Sequence, residues 1–123
     1  MKRTVCLALG LAMLLALILA LPTHAVEGPW QPVPGPYGGS VAAIAMSPDY
    51  RVDHTVFAGL RGQGVYRSVD SGNSWQRVSP DGWVVVALAL SPAYAQDGTV
   101  FVTEGMWPTG YRLQRSTDEG LTW

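Results

Sequence analysis

Cysteine and lysine are almost missing from this chain of 123 residues. The only cysteine is Cys6 and the only lysine is Lys2. The chain after Cys6 therefore forms no internal disulfide and offers no thiolate to a metal ion. From residue 26 onward, six arginines stand against nine acidic residues, for a net charge near −3. This balance excludes the broad basic surface with which proteins bind nucleic acid.

The N-terminal residues differ in composition from everything that follows. Lys2 and Arg3 precede an apolar run from Val5 to Leu21, and small residues lie just before and at Ala25. This pattern predicts a signal-peptide helix over residues 1–25, cleaved after Ala25, and hence a secreted or cell-surface protein. Because the run of 17 residues slightly exceeds the usual apolar region of about 7 to 15, an uncleaved signal anchor is the alternative, and it would be the only contact with a membrane.

The remainder of the chain contains an internal repeat. Segments 68–75 and 116–123 share the pattern Ser-x-Asp-x-Gly-x-x-Trp at a spacing of 48 residues. The Ser and Asp oxygens can accept hydrogen bonds from the N–H groups of a tight turn, Gly supplies its positive φ, and Trp packs beneath it. The pattern therefore predicts two structural hairpin clasps. Their fixed positions are Ser68, Asp70, Gly72, Trp75, Ser116, Asp118, Gly120 and Trp123.

The repeat extends beyond these clasps. Ser47 to Phe57 matches Ser91 to Phe101 at an offset of 44, and Trp30 to Val33 matches Trp75 to Val78 at an offset of 45. Reaching the spacing of 48 requires four extra residues in the second unit. We place them around Glu104 to Gly110, in a loop between strands.

One repeat unit is long enough for four short strands separated by turn residues. The expected strands lie near Val41 to Met46, Thr55 to Ala58, Val65 to Ser68 and Ser74 to Val78. The second unit begins with Trp83 to Leu90 and includes a more polar strand, Tyr111 to Arg115. The first strand of each unit is apolar at nearly every position, which predicts that both of its faces are covered.

The pattern Ser/Thr-x-Asp-x-Gly-x-x-Trp resembles the Asp-box, or bacterial neuraminidase repeat, of sialidases, sortilin-type receptors, xyloglucanases and photosystem assembly factors. The resemblance implies an all-β fold, a β-propeller of four-stranded antiparallel blades with about two blades present. It divides a partial propeller over 26–123 into a closing strand at about 27–33, a blade at about 40–78 and an incomplete blade at about 83–123.

Length limits how much of such a propeller the chain supplies. Propellers close with about 4 to 8 blades, and 98 residues follow Ala25. We therefore expect this chain to be part of a larger propeller whose remaining blades are its partners. Assembly of several short chains into one ring is the alternative.

No catalytic residue is assigned. Asp70 and Asp118 are expected to hold their own turns, away from the active-site face of the families that they resemble. Segments 38–44 and 64–67 resemble the start of the xyloglucanase-type propeller, yet Arg61 stands where we align that family's catalytic Asp. An arginine stays protonated and cannot act as general acid or base.

No metal or cofactor is predicted either. His54 is interpreted as an exposed loop residue at the position of Gly98 in the second unit. Turn formation explains Asp49, Asp53 and Asp97, and a Ca²⁺ site built from them is the alternative.

Three residues remain as candidates for ligand contact: Trp107, Tyr111 and Arg61. An aromatic side chain on a loop can stack on a sugar or anchor a protein partner, and burial of Trp107 and Tyr111 against a neighbouring blade is the alternative. The expected function is a non-catalytic scaffold that binds protein or carbohydrate. The alternative is a fragment of a secreted glycoside hydrolase, sialidase-like or xyloglucanase-like, whose catalytic residues lie outside this chain.

Overall fold

The fold is built almost entirely of antiparallel β-strands, as expected from the repeat. The structure, a computed structural model, describes residues 32–106 and 108–123. Within these ranges, the strands are β1 (Val41–Met46), β2 (Val56–Leu60), β3 (Gly64–Ser68), β4 (Gln76–Arg77), β5 (Val84–Leu90), β6 (Val100–Met106) and β7 (Gly110–Ser116). The predicted signal segment and most of the predicted closing strand lie outside the described residues. In the part of the chain that is described, no helix is long and apolar enough to span a membrane.

Each repeat unit forms its own sheet. The first sheet has the order β1-β2-β3-β4 and the second the order β5-β6-β7. Strand order therefore follows chain order, since each strand pairs with the strand that comes next in the chain. The four strands expected in one unit are all found in the first sheet, although β2 begins and ends one to two residues later than the sequence suggested.

Both sheets carry the same irregularity in their first strand pair. The register of β1 on β2 shifts between Val41 and Ala43, and that of β5 on β6 shifts between Val85 and Ala87. These positions are 44 residues apart, so the bulge is part of the repeat. The repeat thus fixes backbone geometry as well as sequence.

The four extra residues of the second unit lie in strands, which corrects the expectation of a loop over 104–110. β2 and β3 have five residues each, whereas β6 and β7 have seven each. Glu104 pairs with Arg112, and Gly105 pairs with Tyr111. The added residues extend the ladder because paired strands satisfy their backbone hydrogen bonds, which a longer loop would leave to solvent.

A single hydrophobic core lies between the two sheets. Phe57 and Val65 from the first sheet meet Val85 and Val102 from the second, and all four are fully buried. The sheets approach so closely at Gly59 that a Cβ there would overlap the side chain of Val85. Residues Val33–Trp123 form one compact unit as a result.

Several apolar side chains of the first strands are partly exposed. In β1, Val41 is 49% exposed, Ile44 65% and Met46 60%, and in β5 Val84 and Val86 are about 40% exposed. Cover of both faces by neighbouring blades stays a prediction, because the described residues supply each sheet with one neighbour. Only one face of each sheet has the other sheet as a neighbour.

Two short helices, missed by the sequence reasoning, follow the first strand of each unit. They are α1 (Tyr50–Asp53) and α2 (Tyr94–Asp97). Each ends on a residue in the left-handed conformation, His54 with φ 52° and Gly98 with φ 58°. His54 therefore has a structural role as the residue that ends α1.

Candidate functional site

The first clasp is a closed network of hydrogen bonds. The Ser68 hydroxyl donates to Asp70 Oδ1 (2.7 Å) and accepts from the N–H of Gly72 (2.8 Å). The same carboxylate accepts from the Ser74 N–H (2.8 Å) and from the Ser74 hydroxyl (2.6 Å). Both oxygens of Asp70 are thus occupied inside their own turn.

The second clasp repeats these bonds atom for atom. Ser116 donates to Asp118 (2.6 Å) and accepts from the Gly120 N–H (2.9 Å), and Thr122 takes the place of Ser74. Donors around an ionised carboxylate favour the charged form. The Thr122 and Ser116 hydroxyls accordingly help to lower the pKa of Asp118 from 3.8 to about 2, with the Ser116 bond making the largest contribution.

The pKa of Asp70 is lowered in the same way, also to about 2, chiefly by the side-chain hydrogen bond from Ser74. A carboxyl with such a pKa stays ionised at neutral pH and is a poor proton donor. The geometry and the pKa together make both clasp carboxylates structural groups.

Each clasp tryptophan bonds outside its own hairpin. Trp75 Nε1 donates to the carbonyl of Pro34 (2.9 Å), and Trp123 Nε1 donates to the carbonyl of Val78 (2.9 Å). Val78 directly follows β4. Its counterpart in the repeat is Val33, and Pro34 is the residue after Val33. The tryptophans thus tie each clasp to the segment that precedes its sheet in the chain.

A second network closes the loop after the first strand, where turn-forming roles are predicted for Asp53 and Asp97. Asp53 Oδ2 accepts from the Ser47 hydroxyl (2.5 Å), while Oδ1 accepts from the Thr55 N–H (2.9 Å). The second unit has the same bonds, made by Ser91, Asp97 and Thr99. The signal was present in the matching segments Ser47 to Phe57 and Ser91 to Phe101, whose shared Ser, Asp and Thr are the bonded residues.

This network occupies the carboxylate oxygens of Asp53 and Asp97, which a calcium ion would need as ligands. The Asp97 carboxylate has a lowered pKa, chiefly because the Ser91 hydroxyl donates to it. Among the described residues, no three His, Cys, Asp or Glu side chains are grouped so that they could hold a metal ion. The hydrogen bonds of Asp53 and Asp97 within their own loops agree with the turn interpretation of these two acids.

Arg61 and Tyr111, two of the three candidates for ligand contact, line one groove of about 420 Å³. Arg61 lies in the β2–β3 turn and forms an isolated antiparallel bridge with Val84 at the start of β5. Tyr111 reaches the groove from β7, opposite Gly105 in β6. Trp107 lies outside the described residues.

The groove combines an apolar surface with one fixed charge. Val84 and Val86 supply the apolar part, and Tyr111, 76% exposed, presents its ring to solvent. The Arg61 guanidinium offers a permanent cation with several N–H donors. None of the described residues that line the groove is acidic.

A second groove, of about 460 Å³, lies between the end of β4 and the exposed side of β7. Trp83 and Trp123 meet edge to face there, with ring centroids 5.5 Å apart. Gln76 and Gln114 line it from the two sheets. This groove could not be predicted from the sequence, because it depends on how the two sheets stack.

No family model, no curated protein and no solved structure matches the chain. The functional assignment is therefore built on the repeat, on the clasp geometry and on the groove of Arg61 and Tyr111.

Proposed function

We propose that this chain is an exported, non-catalytic segment of an Asp-box β-propeller, which binds a protein or carbohydrate ligand in the groove of Arg61 and Tyr111. The observation that carries the proposal is the convergence of these two residues. They are 50 positions apart in the sequence, and they come from different sheets to line one surface.

The way in which the sheets stack supports a propeller. Phe57 and Gly59 face the second sheet from β2, while Val100 and Val102, one residue out of phase in the repeat, face the first sheet from β6. Opposite faces of equivalent strands therefore meet, so the contact runs head to tail. Such contacts can be repeated by further units and lead to ring architectures.

The state of the acidic residues supports a non-catalytic role for this segment itself. Glycoside hydrolysis commonly needs two carboxyl groups facing one cleft. Asp70 and Asp118 are held in their clasps, Glu104 accepts from Gln114 (2.8 Å), and Glu119 pairs with Arg67 (2.6 Å). These carboxylates serve the fold.

The chemistry of the groove favours ligands with both an acceptor and an apolar face. A guanidinium binds a carboxylate or sugar hydroxyl oxygens, and an exposed phenol ring stacks on an apolar face. Proteins and carbohydrates both offer this combination. Export by the predicted signal peptide would place the groove where such ligands occur outside the cell.

The test is a binding experiment with defined probes on the immobilised chain, using neutral oligosaccharides, carboxylated oligosaccharides and acidic peptides. We expect at least one probe class to bind, and Arg61→Ala and Tyr111→Ala each to weaken its binding about tenfold, as loss of an anchoring side chain does. Arg51→Ala, which removes an exposed arginine from α1, is the matched control and should leave binding unchanged.

Binding that is insensitive to both groove variants would contradict the proposal. Turnover of aryl glycosides by this chain alone would also contradict the proposal, because the chain would then carry the catalytic carboxylate pair that the glycoside hydrolase alternative places outside it.

A further inference from the structure

The sequence contains two Asp-Gly pairs, Asp81–Gly82 and Asp97–Gly98. Glycine has no side chain to hinder its backbone nitrogen, so this nitrogen can attack the carboxyl group of the preceding aspartate. The attack closes a five-membered succinimide ring through the backbone. The two pairs have different surroundings in the fold, and these surroundings decide which pair can react.

Asp81 and Gly82 lie in the exposed turn between β4 and β5, which joins the two sheets. The Gly82 N–H donates to Asp81 Oδ1 (3.0 Å), so the nitrogen already lies beside the carboxyl carbon that it would attack. Reacting atoms held about 3–3.5 Å apart favour a bond-forming step. Nothing lies within 4 Å of a Cβ built on Gly82. The ring therefore has room to close.

The Arg77 guanidinium also contacts this carboxyl group, with Nη1 at 2.6 Å from Asp81 Oδ1. The side chain of Asp81 is 70% exposed and that of Arg77 is 41% exposed. Solvent screens such a pair, and its contribution is small. The ion pair therefore does not fix the Asp81 side chain away from Gly82.

The second pair, at the end of α2, is held in a geometry that opposes the reaction. Asp97 Oδ2 accepts from the Ser91 hydroxyl (2.7 Å), and the Gly98 N–H donates to the Tyr94 carbonyl (2.8 Å). Nitrogen and carboxyl group are thus engaged with different partners. The bond from Ser91 also lowers the pKa of Asp97, and an ionised carboxylate has no hydroxyl to lose when the ring closes.

From these contacts we propose that Asp81–Gly82 is a site of spontaneous isomerisation to isoaspartate, and that this change loosens the β2–β3 turn. The Gly82 nitrogen bonds to Cγ of Asp81, and its proton leaves with the carboxyl hydroxyl as one molecule of water. Water then opens the succinimide at either carbonyl. When it cleaves the bond between the nitrogen and the backbone carbonyl carbon of Asp81, the chain runs through Cγ and is longer by one methylene. Water is the only other reactant.

The β2–β3 turn rests directly on the loop that contains Asp81. The Trp83 carbonyl accepts from the N–H groups of both Gly62 (3.0 Å) and Gly64 (3.1 Å). A Cβ on Gly64 would lie only 2.2 Å from Ser79 Oγ, so turn and loop are in close contact on both sides of Asp81. A methylene added between Ser79 and Trp83 must therefore displace the loop from the turn.

Ageing of the chain in isotopically labelled water tests the site. Each opening of a succinimide adds one labelled oxygen, whether aspartate or isoaspartate results. Both Asp-Gly pairs lie in the peptide 78–112 that cleavage at arginine leaves, so fragmentation of one peptide compares them at identical recovery. We expect at least about tenfold more label at Asp81 than at Asp97 in the folded chain. Comparable labelling of the two sites would overturn the proposal.

The same chain in denaturant is the matched control. Unfolding removes both local geometries, so we expect Asp81 and Asp97 to take up label at similar rates there. A preference for Asp81 that persists unchanged in denaturant would show that the flanking sequence selects the site, and would overturn the structural argument. Absence of label at Asp81 in the folded chain, over a time in which the denatured chain is labelled, would overturn it as well.

A variant assigns the label to the aspartate. Asp81→Glu keeps the charge beside Arg77, but its longer side chain would have to close a six-membered ring, which forms more slowly. We expect label at position 81 to disappear in this variant while label at Asp97 is unchanged. Label that persists at position 81 would mean that the oxygen enters by another reaction, and would overturn the proposal.

Hydrogen exchange measures the effect on the turn. Molecules with isoaspartate at position 81 are separated by chromatography and compared with the unaged chain. We expect the Gly62 and Gly64 amides to exchange at least about tenfold faster, because they lose the Trp83 carbonyl, while the Gly98 amide serves as the control. Unchanged exchange at Gly62 and Gly64 would overturn the second part of the proposal. Since no ligand is involved, this result does not depend on the proposed function.

Discussion

The two repeat units share their internal bonds and differ in what surrounds them. Both clasps have the same Ser and Asp contacts, and both loops after the first strand have the same Ser-Asp-Thr network. What differs between the units is how deeply equivalent side chains are buried. Tyr94 is 5% exposed and packs edge to face on Phe57, with centroids 5.7 Å apart, whereas its counterpart Tyr50 is half-buried and contacts His54.

This difference separates what one unit supplies from what a neighbouring unit supplies. The Ser and Asp bonds of each clasp are made within its own eight residues, while its tryptophan donates to a carbonyl outside them. The environment of Tyr94 requires another sheet, and burial there raises the pKa of its hydroxyl to about 12. Repeat proteins in general derive stability from both sources, the unit and the interface.

The largest expected effect concerns the contact between the sheets. Gly59→Ala should lower the free energy of unfolding by about 1–3 kcal/mol, because its Cβ overlaps Val85 in a packed core. Gly105→Ala is the matched control in β6, since its nearest neighbour lies 3.7 Å away. Urea denaturation of both variants measures the difference, and equal midpoints would contradict this account of the packing.

The clasp glycines give a second comparison. Gly72 and Gly120 have φ of 90° and 91°, so alanine at either site should cost about 1–2 kcal/mol in backbone strain. Gly120→Ala should cost more, because its Cβ would also press on Val78 at 3.1 Å, whereas nothing lies within 3.6 Å of a Cβ at Gly72. A larger shift in the urea midpoint for Gly72→Ala than for Gly120→Ala would contradict this prediction.

Acid should weaken both clasps together. The pKa of Asp70 and of Asp118 is about 2 in the folded protein against 3.8 for a free aspartate. On acidification the unfolded chain therefore takes up protons first, and the stabilisation present above pH 4 is lost as the pH falls from about 4 to 2. Asp70→Asn and Asp118→Asn should each make the free energy of unfolding fall less steeply between pH 4 and 2. An unfolding midpoint that stays constant from pH 5 to 2 would show that the clasps do not stabilise the fold through charge.

The smallest expected effect concerns an ion pair found between the units. Arg67 Nη2 lies 2.6 Å from Glu119 Oε2, with the two side chains 21% and 51% exposed. Arg67→Ala should therefore cost only about 0.5 kcal/mol, after allowance for solvent screening. Arg115→Ala, at the equivalent position of the exposed β7, should cost less. Thermal unfolding at low and high salt distinguishes the two, since only the Arg67 variant should lose its salt dependence.

Local features of this fold could be predicted from the sequence, while features that depend on stacking could not. Ser68 and Asp70 define a turn through bonds within eight residues. The turn residues on either side of β1 likewise mark the ends of that strand closely. The helix at Tyr50 was missed because four residues give no periodic signal. The grooves could not be predicted because Arg61 and Tyr111 line one surface, and Trp83 meets Trp123, only once one sheet lies on the other.

The longer hairpin of β6 and β7 shows how such a scaffold can change its reach. Two additional residues per strand move the tip outward by about 7 Å at the usual rise of a strand. An even number of added residues on each strand keeps every side chain on its original face, whereas one residue would invert the whole strand. The hairpin tip can therefore lengthen in steps of two pairs while the buried base, from Val100 to Val102, stays as it is. The tip of this hairpin is therefore a place where evolution or design can change the height of the groove beside Tyr111 without repacking the core.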